Sequence, residues 1–226
     1  MYSTTDDCIR VNVIKDISEA TFSIADVAVM PVPEKKEDFS HMMKSLYESK
    51  IDKQILFLLP RGKKSQRLKM ISNISSYESW KFIDQICVTY DRPGQSNGNC
   101  LVQLSEFGFL FYKGVKTPDL SNTKWFRDSY ANSGNHWDLG ATAGEVSQQT
   151  FFHKFSGEMI LLLLKLACPL QSGRVIWGLE ETDDSMIHFI YSNQIPFDIY
   201  VKTNEQAQYI IQKYEELVVA RGVKIK

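Results

Sequence analysis

The sequence contains 226 residues, of which 43% are hydrophobic and 23% are charged, a composition typical of a globular chain with a substantial core. Its formal net charge of -1 excludes a general electrostatic attraction to nucleic acid or to a membrane surface. Any contact with a polyanion must therefore come from a local group of basic residues.

The first half of the chain alternates short apolar runs with segments of helical periodicity. Residues 25–30 (ADVAVM) predict a buried strand that ends at Pro31, and residues 55–59 (ILFLL) predict a second buried strand that ends at Pro60. Between them, apolar residues at helical spacing predict an amphipathic helix at 37–50. The elements predicted next are a helix at 67–80, a strand at 82–90, and two adjacent strands or a hairpin at 101–104 and 106–113.

The composition changes between residue 114 and about residue 150. This stretch is rich in Ser, Thr, Asn, Asp and Gly, which predicts a long irregular insert, and long loops in compact domains are often functional. Its aromatic residues suit stacking on nucleic-acid bases and, equally, packing of the insert onto the core. They are Trp125, Phe126, Tyr130 and Trp137.

The last third of the chain returns to regular patterns. They predict a buried helix at 157–167, strands at 174–177 and 197–201, and an amphipathic helix at 205–221. Strands that alternate with helices along the whole chain predict a single α/β domain.

Several other features bear on location and on metal binding. The N-terminal residues include Asp6 and Asp7 and lack the apolar core of a secretory signal, and the apolar run at 159–164 is too short to span a bilayer. The 4 cysteines are widely spaced, without a Cys-x-x-Cys pair, which predicts buried thiols and no structural zinc. We therefore expect an intracellular protein, cytoplasmic or in the nucleus or nucleoid, with no membrane span and no metal.

Three stretches, taken in order, resemble the permuted class of SAM-dependent DNA amino-methyltransferases. Residues 25–39 (ADVAVMPVPEKKEDF) lie where that family has a strand ending in Asp/Ser-Pro-Pro-Tyr/Trp, and residues 107–114 (FGFLFYKG) are similar to the strand before its recognition insert. Residues 135–216 resemble the family's run from a Trp-containing strand, through the cofactor strand, to the final helix. The resemblance implies a Rossmann-like methyltransferase domain over residues 1–226, with a mostly parallel sheet, helices on both faces and a recognition-type insert at about 114–150.

The catalytic motif of the resembling family is not intact here. That family uses an Asp, Ser or Asn side chain and a carbonyl held by proline to accept hydrogen bonds from the target amino group, and an aromatic residue to stack on the flipped base. The matching residues are Met30, Pro31, Val32 and Pro33. Met and Val side chains cannot accept those protons, and Pro33 offers no comparable stacking surface.

The cofactor motif, like the catalytic motif, lacks residues that the family uses. A glycine-rich turn normally lets backbone amides hold the SAM carboxylate. Here the turn keeps Gly178 but is followed by the acidic residues Glu180, Glu181, Asp183 and Asp184. Like charge at close range disfavours binding of an anionic group. The family's ribose-binding acid is matched by Lys202, and Glu205 could replace it only with a shift in register.

A basic segment follows the second predicted strand. It contains Arg61, Lys63, Lys64, Arg67 and Lys69 with no acid among them. Because the resembling family binds DNA near this position, the segment favours phosphate contacts, assisted by Lys113 and Lys116 beside the insert. The alternative is a solvated basic turn.

Two further groups of polar residues carry no predicted chemistry. The acidic residues at 180–184 lack the spaced oxygen ligands of a calcium loop, so they predict a solvated turn. His136 lies beside Trp137 and Asp138 but has no accompanying nucleophile motif, which favours a structural role.

Together the sequence predicts a catalytically inactive methyltransferase homologue, with no cofactor, that acts by binding nucleic acid or by pairing. Its partners would be DNA, a second copy of itself or a related methyltransferase subunit. Two alternatives remain: an active SAM-dependent DNA amino-methyltransferase with divergent motifs, which would bind SAM, and a protein-interaction scaffold without DNA contact.

Overall fold

The structure is a computed structural model that describes residues 1–17, 20–49, 51–60, 64–75, 80–89, 105–114, 136–138, 157–178 and 182–223. The strands are β1 (Tyr2–Ser3), β2 (Ile9–Val13), β3 (Val27–Pro31), β4 (Gln54–Leu59), β5 (Lys81–Thr89), β6 (Ser105–Lys113), β7 (His136–Asp138), β8 (Val175–Gly178) and β9 (Phe197–Val201). The helices are α1 (Lys36–Tyr47), α2 (Lys64–Ser75), α3 (Gly157–Leu166), α4 (Asp184–Asn193) and α5 (Asn204–Val223).

The strands in the described residues form one 9-stranded sheet in the order β1-β2-β9-β8-β3-β4-β6-β5-β7. Strands β2, β9, β8, β3 and β4 are mutually parallel, whereas β1 and β6 pair only antiparallel to their neighbours. The carboxyl ends of the five parallel strands therefore meet at one edge of the sheet, called the carboxyl edge below, and their starts meet at the opposite amino edge. In open α/β sheets, ligands bind at the carboxyl edge.

Helices cover both faces of the sheet. Helices α3, α4 and α5 pack on one face, where Val29, Phe57 and Trp177 belong to the buried core. Helices α1 and α2 pack on the other face, where Met30, Leu58 and Tyr200 are buried. The predicted Rossmann-like α/β fold, with a mostly parallel sheet between two helical layers, is confirmed.

The predicted elements from residue 25 onward match observed ones, with shifts at their ends. Helix α2 lies at Lys64–Ser75 rather than 67–80, and the predicted strand at 101–104 lies outside the described residues. The predicted insert also lies outside them, apart from β7, which forms at the Trp-containing stretch on which the resemblance drew. The buried helix α3 exposes Leu161 and Lys165, which are 4 positions apart on one side.

The sequence patterns did not predict β2 and α4. The strand β2 is short, and its sequence IRVNV is stabilised by parallel pairing with β9, a contact between residues far apart in the chain. Helix α4 has the sequence DSMIHFIYSN, in which only Met186, Ile187 and Ile190 are buried. This apolar stripe is too narrow to be recognised without knowing the start of the helix.

Two buried carboxylates organise the amino edge. Asp26, 1% exposed, accepts hydrogen bonds from the amides of Gln171, Ser172 and Gly173 at 2.7, 2.8 and 2.6 Å, and from the Ser172 hydroxyl at 2.8 Å. These contacts hold the loop that precedes β8 against the start of β3. Burial of the charge is offset because every hydrogen bond is made to an ionised group.

The second carboxylate is Asp198 on β9, which is 0% exposed. Arg10 on the neighbouring strand donates to both of its oxygens, at 2.6 Å from Nε and 2.7 Å from Nη2. Arg174 donates from Nη1 at 3.0 Å, and Ser23 donates from its hydroxyl. The bond to Asp198 raises the pKa of Arg10 further above its ordinary value. The cluster links β2, β9, the start of β8 and the segment before β3.

Candidate functional site

Residues 30–33, which match the catalytic motif of the resembling family in position, lie at the end of β3, in the middle of the carboxyl edge. Met30 is completely buried, and Pro31 is the last residue of the strand. The Val32 amide donates to the Leu59 carbonyl at 3.0 Å, so the backbone after Pro31 stays attached to β4. The side chains of Met30, Pro31 and Val32 contain no nitrogen or oxygen atom that could accept a hydrogen bond from an amino group.

Met30 occupies the space directly above Gly178, at the end of the neighbouring strand β8. A Cβ atom added to Gly178 would lie 2.1 Å from Met30 Sδ and 2.5 Å from its Cε. The register of β3 and β8 places the two residues side by side on the α1–α2 face. The methionine side chain therefore fills the volume beside the one glycine that the cofactor turn retains.

The described carboxylates of the turn after β8 accept hydrogen bonds from other residues of the chain. Asp183 is the N-cap of α4 and accepts from the Met186 amide at 2.9 Å and from the Ser185 hydroxyl at 2.6 Å. Asp184 accepts a hydrogen bond from the Tyr209 hydroxyl on α5, which raises the pKa of that tyrosine. The Met186 amide at the start of α4, which could otherwise bind an anion, is thus already hydrogen-bonded to Asp183. Glu180 and Glu181 lie outside the described residues.

The end of β9 presents a lysine where the resembling family has a ribose-binding acid. Lys202 is exposed, and its amide donates to Gln206 Oε1 at 3.3 Å, while the Gln206 amide donates to Thr203 Oγ1 at 3.2 Å. This reciprocal pattern is close to a capping box and fixes the start of α5. Glu205 is exposed in the first turn, and hydrogen bonds from its own amide and from the Thr203 hydroxyl lower its pKa.

The predicted basic segment lies only partly in the described residues. Lys64 and Arg67 are in the first turns of α2, next to the carboxyl edge, and Lys69 is exposed on the same helix. Arg61, Lys63 and Lys116 lie outside the described residues.

Lys113 lies away from this segment, because it pairs with Gln54 at the start of β4, on the amino edge. Five steps along β4 correspond to about 17 Å. The Lys113 ammonium donates to the Ser49 carbonyl at 2.6 Å and lies 5.1 Å from the centre of the Tyr47 ring, and burial lowers its pKa. The structure therefore does not bring Lys113 next to the described part of the basic segment.

One polar residue beside the basic segment was not singled out by the sequence patterns. Asn73 on α2 is 8% exposed, and its Nδ2 lies 3.2 Å from both the Pro33 and the Glu34 carbonyl oxygens. It connects α2 to the loop that follows β3. The sequence signal was a single asparagine in a polar helix, which carries no information about a partner 39 or 40 positions away.

The described residues contain neither a metal-binding cluster nor a membrane-spanning helix. Among them, no group of three or more His, Cys, Asp or Glu residues could hold a metal ion. No helix in that part of the chain has the length and apolarity needed to cross a membrane.

Comparison with solved structures identifies proteins of the same fold. The crystal structure of M1.HpyAVI matches with a TM-score of 0.56 and 9% identity over 93% of this chain and 98% of that one. Its complex with SAM matches with a TM-score of 0.53 and 10% identity over 92% and 98% of the two chains. TTHA0409, a putative DNA modification methylase from Thermus thermophilus solved with S-adenosyl-L-methionine, matches with a TM-score of 0.53 and 11% identity over 92% and 93%.

The likeness to these proteins is one of fold. No family model and no curated protein matches the sequence. The matched region nevertheless spans nearly the whole length of M1.HpyAVI and of TTHA0409.

Proposed function

We propose that this chain is a catalytically inactive protein of methyltransferase fold that acts by binding duplex DNA or by pairing with another subunit, with DNA binding as the leading function. The structural relatives are DNA methyltransferases, and two of the matching structures contain SAM. The basic segment at the carboxyl edge favours the DNA-binding version. DNA would be recognised through its phosphates, since no base-reading group is assigned.

The observation that carries the loss of catalysis is the position of Met30. Its side chain fills the space beside Gly178 and replaces the polar group that amino methylation requires. Met30 therefore bears on both the target base and the cofactor. Its side chain has no polar group that could hold the target amino nitrogen, and it fills the space beside Gly178 at the cofactor turn. Asp183 adds a like charge near the expected position of the SAM carboxylate. The Lys202 ammonium cannot accept hydrogen bonds from the ribose hydroxyls, as an acidic residue would.

We expect SAM not to bind measurably. Titration calorimetry with SAM at millimolar concentration should give only the heat of dilution, because the turn amide at Met186 is already bonded to Asp183 and the volume beside Gly178 is filled by Met30. A saturable heat with micromolar affinity would contradict the proposal and support the alternative of an active SAM-dependent methyltransferase.

We expect duplex DNA to bind with micromolar affinity at low salt, mainly through Arg61, Lys63, Lys64, Arg67 and Lys69. Changing Lys63, Lys64 and Arg67 together to Glu should abolish this binding. Changing one of these residues to Gln should instead leave measurable binding and lower the slope of log K against log salt by about one unit, the value of one lost phosphate contact. Fluorescence anisotropy with a labelled duplex, repeated across a salt series, measures both quantities.

A matched control uses lysines that lie away from the carboxyl edge. Lys44 is in the last turn of α1, Lys53 directly precedes β4, and Lys213 is midway along α5, which runs back from the carboxyl edge. Changing these three lysines to Glu alters the net charge by the same amount as the triple change of Lys63, Lys64 and Arg67. DNA affinity should nevertheless change little, because these three lysines lie away from the carboxyl edge. Equal losses in both triple variants would indicate a diffuse charge effect. A parent protein that does not bind even at low salt would favour the scaffold alternative.

A further inference from the structure

Two phenylalanine rings are exposed on the antiparallel strand pair β5–β6. Phe82 is 55% exposed and Phe107 is 46% exposed. Phe82 pairs with Phe111, and Phe107 precedes Phe109 and Phe111 by two and four positions on the same strand. Phe109 and Phe111 are buried in the core of the α1–α2 face. Because side chains alternate between the two faces of a sheet, Phe82 and Phe107 also lie on the α1–α2 face.

The strands hold these two rings apart. Phe107 and Phe111 are separated by about 14 Å along β6, and Phe82 lies across from Phe111. The Phe82 ring packs edge-on against the Phe111 ring, with the ring centroids 5.5 Å apart and the planes at 65°. Each exposed ring therefore offers its own separate surface, mounted on a regular strand.

The size of the exposed surface favours a base over a protein partner. Two phenylalanine side chains that are each about half exposed present on the order of 200 Å² together. A stable protein interface buries about 800 Å² on each partner. A single base needs only one exposed ring, because every base has a face that can stack on an aromatic side chain.

The acidic residues of β5 and β6 lie on the other face of the strand pair. Asp84 pairs with Leu110, and Glu106 is four positions before Leu110, so both acidic positions lie on the α3–α5 face. Among the described residues of these two strands, the α1–α2 face carries no acid, and the exposed Gln85 lies between the two rings. A polyanion that approaches the rings therefore meets no like charge from β5 or β6.

Helix α2 adds basic positions beside this part of the sheet. Lys64 and Arg67 precede Ile71 by seven and four positions, so the three positions lie on one side of the helix. Asn73, which contacts the loop after β3, lies roughly 200° further around the helix. The side with Lys64, Arg67 and Ile71 therefore faces away from β3, toward β6 and β5. This arrangement is complementary in charge to a strand of phosphates.

We propose that Phe82 and Phe107 form a stacking platform for unpaired bases of a single-stranded nucleic acid. The bases stack on the two rings, and the phosphates of the same strand lie beside the basic positions of α2. The sequence patterns did not assign these two residues. The proposal goes beyond the binding of duplex DNA and does not depend on it, because bases in a duplex are stacked on one another and offer no face to the rings.

Fluorescence anisotropy with a labelled oligothymidylate of about 12 nucleotides tests the platform. Phe82→Ala and Phe107→Ala should each weaken binding by about fivefold or more, the effect of one lost base–aromatic stack. The slope of log K against log salt should not change, because no phosphate contact is lost. Phe82→Tyr and Phe107→Tyr retain the ring and should bind like the parent. Phe82→Leu and Phe107→Leu retain an apolar side chain without a ring and should bind like the alanine variants.

Tyr209→Ala is the matched control. Tyr209 is 42% exposed but lies on α5, which packs on the opposite face of the sheet. Its removal should leave the affinity for the oligothymidylate unaltered. The same titrations with an oligouridylate compare RNA with DNA, and the tighter binding identifies which kind of strand the platform takes.

The remaining outcomes would overturn the proposal. Parental affinity in the alanine or leucine variants would show that the rings do not stack on bases, and a reduced salt slope would show that phosphate contacts were lost instead. If the parent binds duplex DNA but not the oligothymidylate at low salt, the platform fails and the proposed function stands. If sedimentation shows a parental dimer that Phe107→Ala dissociates, the surface is an interface between copies of the chain. The leucine variant replaces an alanine variant that circular dichroism shows to be unfolded.

Discussion

Replacement of Asp198 by alanine is expected to lower the free energy of unfolding by about 3 kcal/mol, the lower end of the range for one partner removed from a buried ion pair. The carboxylate is 0% exposed, whereas the side chains of Arg10 and Arg174 are 29% and 14% exposed. Without Asp198 the two guanidinium groups lose the acceptor that they share. Their partial contact with solvent limits the cost, and this is why we expect the lower end of the range.

Urea denaturation measures this loss as a decrease in the midpoint at unchanged slope. Glu48→Ala is the matched control, because Glu48 also forms an ion pair, with Lys44 at 3.7 Å, but both side chains are largely exposed. That change should alter stability by less than about 0.5 kcal/mol. If Asp198→Ala and Glu48→Ala have equal effects, the buried cluster does not stabilise the fold in the way that we describe.

Replacement of Asp26 by alanine is expected to destabilise the protein by a similar amount, about 3 kcal/mol or more. The change removes the acceptor for three backbone amides and one hydroxyl, and the amides of Gln171, Ser172 and Gly173 then lose their side-chain acceptor in a part-buried site. The variant Asp26→Asn, with one carbonyl oxygen and no charge, should retain part of the stability. Thermal unfolding followed by circular dichroism ranks the variants.

Ser172→Ala provides a graded comparison for Asp26. It deletes the hydroxyl that donates to Asp26 at 2.8 Å and accepts from the Arg174 amide at 3.2 Å, and it leaves the three amide donors to Asp26 in place. We expect a loss of about 1 to 2 kcal/mol, since a single hydrogen bond usually contributes about 1 kcal/mol. A Ser172→Ala effect as large as that of Asp26→Ala would mean that the hydroxyl, not the set of amides, holds the loop.

Much of this fold could be predicted from the sequence because its central strands are apolar on both faces. The runs ILFLL and ADVAVM can only be buried, and the helix between them has a clear apolar stripe. Helix α4 was missed because its apolar stripe is narrow, and strand β2 because a contact distant in sequence decides it. For β2 the determining contact is the parallel pairing of Ile9–Val13 with Phe197–Val201.

The candidate site was harder to predict than the fold. The sequence shows which polar residues are missing at positions 30–33 but not where the remaining side chains point. Met30 could equally have faced either helical layer, and its packing on Gly178 depends on the register of two strands that are far apart in the chain. Likewise, Asp183 and Asp184 look like free charges in the sequence, whereas in the structure they accept hydrogen bonds from Met186 and Tyr209.

The packing of Met30 on Gly178 has a consequence for how this chain can evolve. A side chain at Gly178 would force the end of the Met30 side chain to move, since the new Cβ would lie 2.1 Å from its sulfur. Met30 cannot be shortened alone, since removal of a buried methionine side chain typically costs about 2–5 kcal/mol through the cavity that it leaves. A change at either position alone is therefore expected to lower stability, whereas a coordinated change at both can preserve the packing. We expect residues 30 and 178 to vary together in descendants of this chain, and most other variation to fall on the surface.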